Sequence, residues 1–499
     1  MPQLFRSQPT IIFCIVMMNI ILSLWCIYAD PIINNDAVTY LAVAQKLVDG
    51  QWAETFKYYS WPFYSILIAV TAKSFFIEVT NAAYLLNTFF GILISLAFVS
   101  IVKDLSKGNT AIVLISLVII LFFPSINKYR SFIIRDFGYL ACYLWSFYFI
   151  VRFCSTQNKK YLFHWFICAA LSCLFRFEGI IFLFIVPYFL FLFTATKFPN
   201  RRKIIFSLSV AILILFAAIG FWYLNNKYDA VISIANVMGD EVSGLLDLFF
   251  SNINQNFEGE KLTFFTYVKI FASNTFDVFY QLLRRMSIIY FFLAIYAYLV
   301  KLSLQDPLLK RMWLIYIATN LIILISFSFY NHFLVSRYTL ATSLTLLLIT
   351  PFAIQNLINK SLNARGPIKA ATLLVGLLLI IEAIDKLNIE NKKEYIRTSG
   401  DWLSQNTLDN VKLYSNNRLI IHYADKGPDS NLDDMYSYNM LIRNLDFMKL
   451  QDYEYVVYAT ISSFKLDTLA QQRLSEEYGD LIKEIDGYAE QTVSVYRRK

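Results

Sequence analysis

The stretch IIFCIVMMNIILSLWCIYADPIINNDAVTYLAVAQ, residues 11–45, decides the fold. Its first part, Ile11 to Tyr28, is an apolar run that follows Arg6 and is long enough to cross the ~30 Å hydrocarbon layer of a membrane. No Ala-x-Ala cleavage site follows it, so we expect an uncleaved first span. A short amphipathic helix is predicted after this run, and it begins with the carboxylate of Asp36. An acid at this place needs an explanation.

The composition is typical of a protein that crosses the membrane many times. The chain has 499 residues, of which 57% are apolar and only 16% are charged, too few to cover a water-soluble surface of this size. Further apolar runs lie at roughly residues 82–102, 110–124, 133–151, 160–174, 178–196, 204–224, 286–300, 312–329, 338–354 and 368–384. The sequence therefore predicts a polytopic α-helical membrane protein with about eleven spans.

Basic residues indicate which side each loop faces. If the segment from Trp61 to Phe76 lies at the membrane interface, every predicted inner loop carries Lys or Arg, as the positive-inside rule requires. The N-terminus is then cytoplasmic, and the net charge of +8 is explained without nucleic acid as a partner. The Asn-x-Ser/Thr sequon at Asn359 falls in a predicted inner loop, which fits the plasma (inner) membrane of a bacterium.

Charged residues that this rule leaves unexplained gather on the predicted outer side. Ionisable groups at the ends of spans are costly to bury and tend to mark a functional site. The sequence therefore indicates a polar cavity at the outer face, although each residue alone also fits a solvated loop charge or an interfacial anchor. The group consists of Asp36, Asp136, Glu178, Arg130, Arg135, Arg176, Arg284, Arg285, His332 and Arg337.

Five motifs, in order along the chain, resemble one family. They are NNDAVTYLAVAQ with Asp36, YYSWPFYSILIA with Tyr59 and Trp61, IIRDFGYLA with Asp136, RFEG with Arg176 and Glu178, and SRYTLATSLTLLL with Arg337. This ordered set resembles the GT-C superfamily of membrane glycosyltransferases, and most of all the bacterial relatives of protein O-mannosyltransferases and of lipid A aminoarabinose transferases. Many members have a second acid directly after the first. Here Ala37 stands there, which counts against the protein-mannosyltransferase subgroup rather than the superfamily.

The resemblance implies transfer of a hexosyl or pentosyl group from a polyprenyl-phosphate donor at the outer face of the membrane. The acceptor would be a hydroxyl of a lipid, a polysaccharide or a protein of the cell envelope. In the family the acid of the first outer loop lies beside the acceptor hydroxyl, and Asp36 matches it. A carboxylate within hydrogen-bond reach of a hydroxyl can take its proton, so Asp36 is our candidate general base.

The leaving group of such a reaction is a lipid phosphate. The negative charge that grows on it must be met by fixed cations, and arginines outside the membrane are natural candidates. We expect Arg284, Arg285 and Arg337 to bind this phosphate, with His332 nearby. For Arg284 and Arg285, a helix end that snorkels to the interface is the competing explanation.

Asp136, the second acid that the resemblance selects, has three possible uses. It would orient the acceptor together with Asp36, hold Arg135 or Lys128 in place, or share a divalent metal ion with Asp36. Two carboxylates suit Mg²⁺ or Mn²⁺, and His332 would shift the preference toward zinc. No His or Cys spacing demands a metal, so the ion is possible rather than required.

The remaining candidates receive an acceptor-binding or structural role. Arg176 and Glu178 are two residues apart at a predicted helix start, so we expect them to face different partners, with Glu178 bound to a neighbouring span. Arg135, Tyr59 and Trp61 complete this group.

Two regions lie outside the predicted spans: a long loop and the C-terminal part of the chain. A loop from about Asn225 to Gln281 contains an amphipathic stretch at residues 229–250, and long loops of this kind often close over ligands. We therefore divide the chain into a transmembrane catalytic domain, 1–385, and an extracytoplasmic α/β domain, 386–499. The second domain would cover the cavity, select the acceptor or only stabilise the fold.

The pattern after residue 385 predicts two helices and four strands. The helices are KKEYIRTSGDWLSQN and FKLDTLAQQRLSEEYGDLIKEI, and the strands are VKLYSN, RLIIHYA, YEYVVYAT and QTVSVYRR.

Two other functions remain open. A transporter or flippase of lipid-linked sugars would also have many spans, but it should show internal repeats and charged or broken helices near mid-membrane, and we find neither. An O-antigen-type polymerase or ligase also uses outer-loop Arg and His. It would depend on those residues and tolerate the loss of Asp36.

Overall fold

The structure, a computed structural model, describes residues 8–194, 264–331, 334–363, 366–385, 387, 393–408, 411–425, 453–460, 471–487 and 491–499. The chain divides into two compact units. Unit 1 contains Met1–Cys26, Lys46–Arg130 and Ile134–Asn388, and unit 2 contains Ile27–Gln45, Ser131–Ile133 and Ile389–Lys499. Unit 2 therefore joins the C-terminal region to two short segments from early in the chain, which the sequence pattern did not indicate.

Helices form the described chain up to residue 385. They are α1 (Gln8–Ala29), α2 (Asn35–Val48), α3 (Trp52–Tyr58), α4 (Phe63–Phe75), α5 (Val79–Leu105), α6 (Thr110–Leu121), α7 (Pro124–Lys128), α8 (Asp136–Thr156), α9 (Lys160–Phe175), α10 (Gly179–Thr194), α11 (Phe264–Met286), α12 (Ile288–Leu299), α13 (Pro307–Asn331), a 3₁₀ turn (Ser336–Thr339), α14 (Leu340–Leu347), α15 (Thr350–Asn363) and α16 (Pro367–Asp385).

Five stretches of the described chain are helical, long and apolar enough to cross a membrane, and two bent pairs raise the number to seven at most. The five are Pro9–Ala29, Val79–Leu105, Thr110–Lys128, Asp136–Thr156 and Pro307–Phe329, and each coincides with a predicted span. The prediction of a polytopic α-helical membrane protein is confirmed, whereas the count of about eleven spans is not. The predicted span at 204–224 lies outside the described residues.

Two further predicted spans are shorter helices. Residues 160–174 and 178–196 correspond to α9 and α10, which have 16 residues each. At a rise of 1.5 Å per residue such a helix is about 24 Å long, less than the ~30 Å hydrocarbon layer. The short turn between them holds two of the predicted site residues, Arg176 and Glu178.

A sharp bend separates α11 from α12. The chain bends by 98° between the two helices. Ser287 at the bend has φ 72°. Its side chain caps α12 by accepting a hydrogen bond from the Ile289 backbone N–H at 3.2 Å. Residues 264–281, assigned to a loop from the sequence, are helical because α11 is amphipathic and packs Val278 against Leu324 and Leu334. The expected lid at 229–250 lies outside the described residues.

A buried polar network fixes the turn that leads into α8. Arg130 donates hydrogen bonds to Oδ1 of Asn127 at 2.7 Å, Oδ1 of Asn19 at 3.0 Å and Oγ of Ser23 at 3.3 Å. Asn19 and Ser23 are one helical turn apart on α1, so the network ties α1 to this turn. Because a buried guanidinium without partners is costly, these bonds fix both the side chain and the turn.

Unit 2 contains a four-stranded sheet with the order β1-β2-β4-β3. Its elements are α17 (Glu394–Asn406), β1 (Leu413–Ser415), α18 (Arg418–Tyr423), β2 (Tyr455–Ala459), a π-helical turn (Leu474–Tyr478), β3 (Gly479–Asp486) and β4 (Thr492–Arg498). β1 runs parallel to β2, and β4 is antiparallel to both β2 and β3. The predicted small α/β domain is thus confirmed in class, with a core of Tyr414, Val456, Tyr458, Leu474, Tyr478 and Tyr496.

Two predictions in this unit were wrong. RLIIHYA forms helix α18 rather than a strand, because Asn417 caps it by accepting a hydrogen bond from the Leu419 backbone at 3.0 Å. The predicted helix through residues 479–485 is instead strand β3, because pairing with β4 overrides its local preference. The first part of that predicted helix, residues 464–470, lies outside the described residues.

Candidate functional site

Four charged side chains from three parts of unit 1 form one cluster: Asp136, Arg176, Glu178 and Arg337. Asp136 begins α8, Arg176 directly follows α9, and Arg337 lies in the 3₁₀ turn before α14. One oxygen of Asp136 pairs with Nη1 of Arg176, and the other lies 3.6 Å from Nε of Arg337. Arg176 also donates to Glu178 from Nη2 at 2.5 Å and from Nε at 3.3 Å. We call this group the Arg176 cluster.

The pairing of Arg176 with Glu178 corrects a prediction. Two residues apart on a helix would face different directions, but Arg176 has φ −145° and ψ 128° and is extended. Phe177 and Glu178 follow in a turn, in which the Gly179 N–H donates to the Arg176 carbonyl at 3.0 Å, and this turn places Glu178 beside Arg176. The sequence pattern failed here because both residues precede α10, which begins at Gly179, and so do not lie on a helix.

A close helix approach sets this geometry. Gly138, two residues after Asp136, faces the ring of Phe175, and a Cβ on Gly138 would overlap that ring. The Phe175 ring also packs edge-on against Phe63 and Phe90, with centroids 5.0 and 5.3 Å away. Because Gly138 lets α8 approach the end of α9, Asp136 and Arg176 come within bonding distance.

Two tyrosines that the sequence analysis did not select complete the surroundings of Arg176. The guanidinium carbon lies 3.9 Å from the ring centroid of Tyr338 and 5.6 Å from that of Tyr139. Both are cation–π contacts, which are stronger where the cation is desolvated. Both tyrosines lie within motifs already quoted from the sequence. Tyr338 follows Arg337 in SRYTLATSLTLLL, and Tyr139 is the tyrosine of IIRDFGYLA.

A small cavity adjoins the cluster. Its volume of about 20 Å³ is enough for about one water molecule. The polar side chains that line it belong to Asp136, Tyr139, Arg176, Glu178, Asn320, Arg337 and Tyr338.

The charges of the cluster balance, with two carboxylates and two guanidinium groups. Burial alone would raise the pKa of Glu178, but the charge of Arg176 and its hydrogen bond outweigh burial and lower this pKa to about 2. Burial conversely favours neutral Arg176, and Glu178 with Asp136 overcomes this and raises the Arg176 pKa. Arg176 and Glu178 are therefore both ionised at neutral pH.

Asp36 lies in unit 2, in the first turn of α2. It is partly exposed, and a carboxylate in a first helical turn is favoured by the helix dipole. Asp136 belongs to unit 1, so a joint role of the two acids stays a prediction.

Arg284 and Arg285 end α11 directly before the 98° bend. The backbone carbonyl of Arg285 accepts a hydrogen bond from Ser125 on α7, which anchors this helix end. Among the described residues neither guanidinium has an ion-pair partner, and the buried Nε of Arg285 has no hydrogen-bond partner. In the part of the chain that the structure describes, these two arginines differ from those of the Arg176 cluster, because no carboxylate pairs with them.

Three more candidates lie around the turn that carries Arg176. Nη1 of Arg135 donates to the Tyr59 hydroxyl at 3.1 Å. The Trp61 indole donates to the carbonyl of Leu174 at 2.7 Å and meets the Phe177 ring edge-on at 6.3 Å. Trp61 therefore contacts residues on both sides of Arg176, and its acceptor-binding or structural role stays a prediction.

The sequence leaves a metal ion optional, and nothing in the structure tests it. In the described part of the chain no three His, Cys, Asp or Glu side chains come together as metal ligands. Both oxygens of Asp136 already face arginines. His332 lies outside the described residues.

Solved structures resemble this chain over nearly its whole length. The apo crystal structure of ArnT from Cupriavidus metallidurans aligns with 97% of this chain and 97% of its own, at a TM-score of 0.51 and 11% identity. The structure of the same protein bound to undecaprenyl phosphate aligns with 98% of each chain, with the same TM-score and identity. ArnT, a lipid A aminoarabinose transferase, is a GT-C glycosyltransferase.

The chain has a GT-C fold.

The resemblance stated from the five motifs is thus confirmed at the level of the GT-C fold. An oligosaccharyltransferase from Archaeoglobus fulgidus, tethered to an acceptor peptide, aligns with 80% of this chain and 58% of its own at 12% identity. Its TM-score of 0.39 is too low to support an inference. No family model matches the sequence, and no curated protein matches it.

Proposed function

We propose that this protein is a membrane glycosyltransferase that moves a sugar from a polyprenyl-phosphate donor to an acceptor hydroxyl at the outer face of the inner membrane. The observation that carries the proposal is the GT-C fold, which matches over 98% of the chain a structure bound to undecaprenyl phosphate. The sugar is a hexose or a pentose, and the acceptor is a lipid, a polysaccharide or a protein. The C-terminal domain then lies outside the cytoplasm.

The two acids have different roles in this proposal. Asp136 faces Arg176 and Arg337, so its carboxylate is occupied with holding these cations. Asp36 is partly exposed in the first turn of α2 and acts as general base. It takes the proton of the acceptor hydroxyl as the oxygen attacks the anomeric carbon. The bond from that carbon to the phosphate oxygen breaks, and its electron pair leaves with the lipid phosphate.

The departing phosphate needs positive charge that is not already neutralised. Arg284 and Arg285 supply it, because neither has an ion-pair partner among the described residues. Arg337 is partly neutralised by Asp136 and contributes less. The competing explanation is that Arg284 and Arg285 only end a helix, where the dipole also favours cations.

Turnover by the purified protein tests the proposal. The protein is reconstituted with a panel of polyprenyl-monophosphate and polyprenyl-pyrophosphate sugars, and release of the free lipid phosphate is measured. Release of lipid monophosphate from one donor supports the proposal and identifies the sugar. Release of lipid pyrophosphate alone points to a polymerase or ligase, and lipid movement between leaflets without release points to a flippase.

A further inference from the structure

The segment that leads into the Asp36 helix is fixed by a double hydrogen bond within unit 2. Nδ2 of buried Asn34 donates to the carbonyl of Ile133 at 3.3 Å, and its Oδ1 accepts from the backbone N–H of Ile133 at 2.8 Å. The carbonyl of Asn34 in turn accepts from the N–H of Ala37 at 3.0 Å, which closes the first turn of α2 around Asp36. The start of α2 is therefore joined to residues 131–133.

A residue from the C-terminal region holds the same segment. The hydroxyl of Tyr423, the last residue of α18, accepts a hydrogen bond from the backbone N–H of Ile33 at 3.0 Å. Ile33 is buried and lies two residues before α2 begins. Without this acceptor a buried backbone donor would lose its partner, which is costly.

A second contact comes from the start of α18. Nη1 of Arg418 donates to Oγ1 of Thr39 at 3.3 Å. Thr39 is three residues after Asp36 on α2, and residues three apart lie on one face of a helix. The side chain of Arg418 therefore contacts the face of α2 that carries Asp36.

Helix α18 is itself firmly held in unit 2. Gly400 on α17 has no side chain where Tyr423 packs, and a Cβ there would overlap Tyr423. The side chain of Asn416, two residues before α18, makes two hydrogen bonds with the backbone of Ala459 on β2, at 2.7 and 2.8 Å. The sheet and α17 thus fix α18, and α18 contacts both ends of the segment around Asp36.

We propose that α18 positions α2, the helix that carries Asp36, with Tyr423 and Arg418 as positioning residues that act through Asp36. This gives the C-terminal domain a part in catalysis beyond stabilising the fold. The inference rests on the proposed function, in which Asp36 is the general base. The oxygen of a general base must lie within about 3 Å of the hydroxyl oxygen whose proton it takes. A small shift of α2 therefore slows transfer without changing the donor site.

Tyr423→Phe is the test, because it removes only the hydroxyl. The matched control is Tyr395→Phe, whose hydroxyl donates to Gln491 at 2.9 Å in the same unit and does not touch the Asp36 segment. Arg418→Met is a second variant, which keeps the aliphatic part of the side chain. Each variant is assayed for thermal stability, for kcat and for the KM of the lipid donor. Hydrogen exchange of residues 31–40 is measured on the same samples.

For Tyr423→Phe we expect unchanged donor KM, faster exchange in residues 31–40 and a kcat lower by about five- to tenfold, as the loss of one hydrogen bond allows. The control should resemble wild type in all three. In an Asp36→Asn background, Tyr423→Phe should cause no further loss, because a positioning residue has nothing left to position.

An equal loss of kcat in both backgrounds, or a Tyr423→Phe variant identical to the control, would overturn the inference. The exchange measurement needs no turnover. Faster exchange in a protein that transfers no sugar would uphold the contact between α18 and α2 while overturning the proposed function. Unchanged exchange in an active enzyme would overturn the inferred contact between α18 and α2 and would leave the proposed function standing.

Discussion

Nε of Arg337 lies 3.6 Å from the carboxylate of Asp136, and the other oxygen of that carboxylate pairs with Arg176. Asp136 is thus shared between two cations from separate parts of the chain. Both oxygens of this carboxylate already contact guanidinium groups, so Asp136 is poorly placed to reach a substrate hydroxyl. The contacts of Asp136 with two arginines give it a different proposed role from that of Asp36, the other acid selected from the sequence. We therefore propose that Asp136 organises the arginines and that Asp36 takes the proton.

Asp136→Asn should destabilise the protein, because it removes a buried carboxylate from two guanidinium groups. Breaking a buried pair from one side costs about 3–5 kcal/mol, and the Glu178 that remains on Arg176 should keep the loss near the lower end. Thermal unfolding in detergent measures it. The control is Glu54→Gln, which breaks the exposed pair with Lys46 and should cost less than about 1 kcal/mol. Equal effects of the two variants would contradict a structural Arg176 cluster.

Gly138→Ala should also destabilise, because the added methyl meets the Phe175 ring. Overpacking of this kind costs about 1–3 kcal/mol, and separation of α8 from α9 should weaken the pair of Asp136 with Arg176. Gly376→Ala on α16 is the control, since its Cβ would meet nothing within 4 Å and alanine favours a helix. A Gly138→Ala protein as stable as the control would refute the close approach.

Glu178→Gln should show a stability difference that depends on pH. The folded pKa of about 2 is below the ordinary value of about 4.3, so ionised Glu178 stabilises the fold fully above the ordinary value. This stabilisation is lost as the pH falls from about 4.3 toward about 2. Melting curves of the variant and wild type should therefore be far apart at pH 7 and converge below pH 4. A constant gap across this range would rule out the ion pair with Arg176.

Arg284→Ala should weaken donor binding, because it removes from the proposed phosphate site a positive charge that no described carboxylate neutralises. We expect the KM for the lipid donor to rise about tenfold with little change in kcat, the loss expected for one charge-assisted contact. Lys73→Ala is a matched control, since Lys73 also ends a helix and is exposed. A donor KM that changes equally in both variants would favour the explanation that Arg284 only ends a helix.

The sequence predicted the membrane class, the GT-C fold and the five spanning helices, because long apolar runs and ordered motifs are local signals. It could not predict that Asp136, Arg176, Glu178 and Arg337 form one cluster. That arrangement depends on the end of α9 at Phe175 and on the absence of a side chain at Gly138. The sequence also could not show that α18 contacts residues near Asp36. The hydrophobic periodicity of a helix or strand carries no information about contacts between residues far apart in the chain.

Single-turnover transfer by Asp36→Asn tests whether Asp36 is the general base. The rate is measured with saturating polyprenyl-phosphate sugar, and donor binding is measured on the same sample. We predict a rate lower by about two to four powers of ten, with donor affinity within about twofold of wild type. A near-normal rate would contradict this role, and a rate lost together with donor binding would assign Asp36 to the donor site instead.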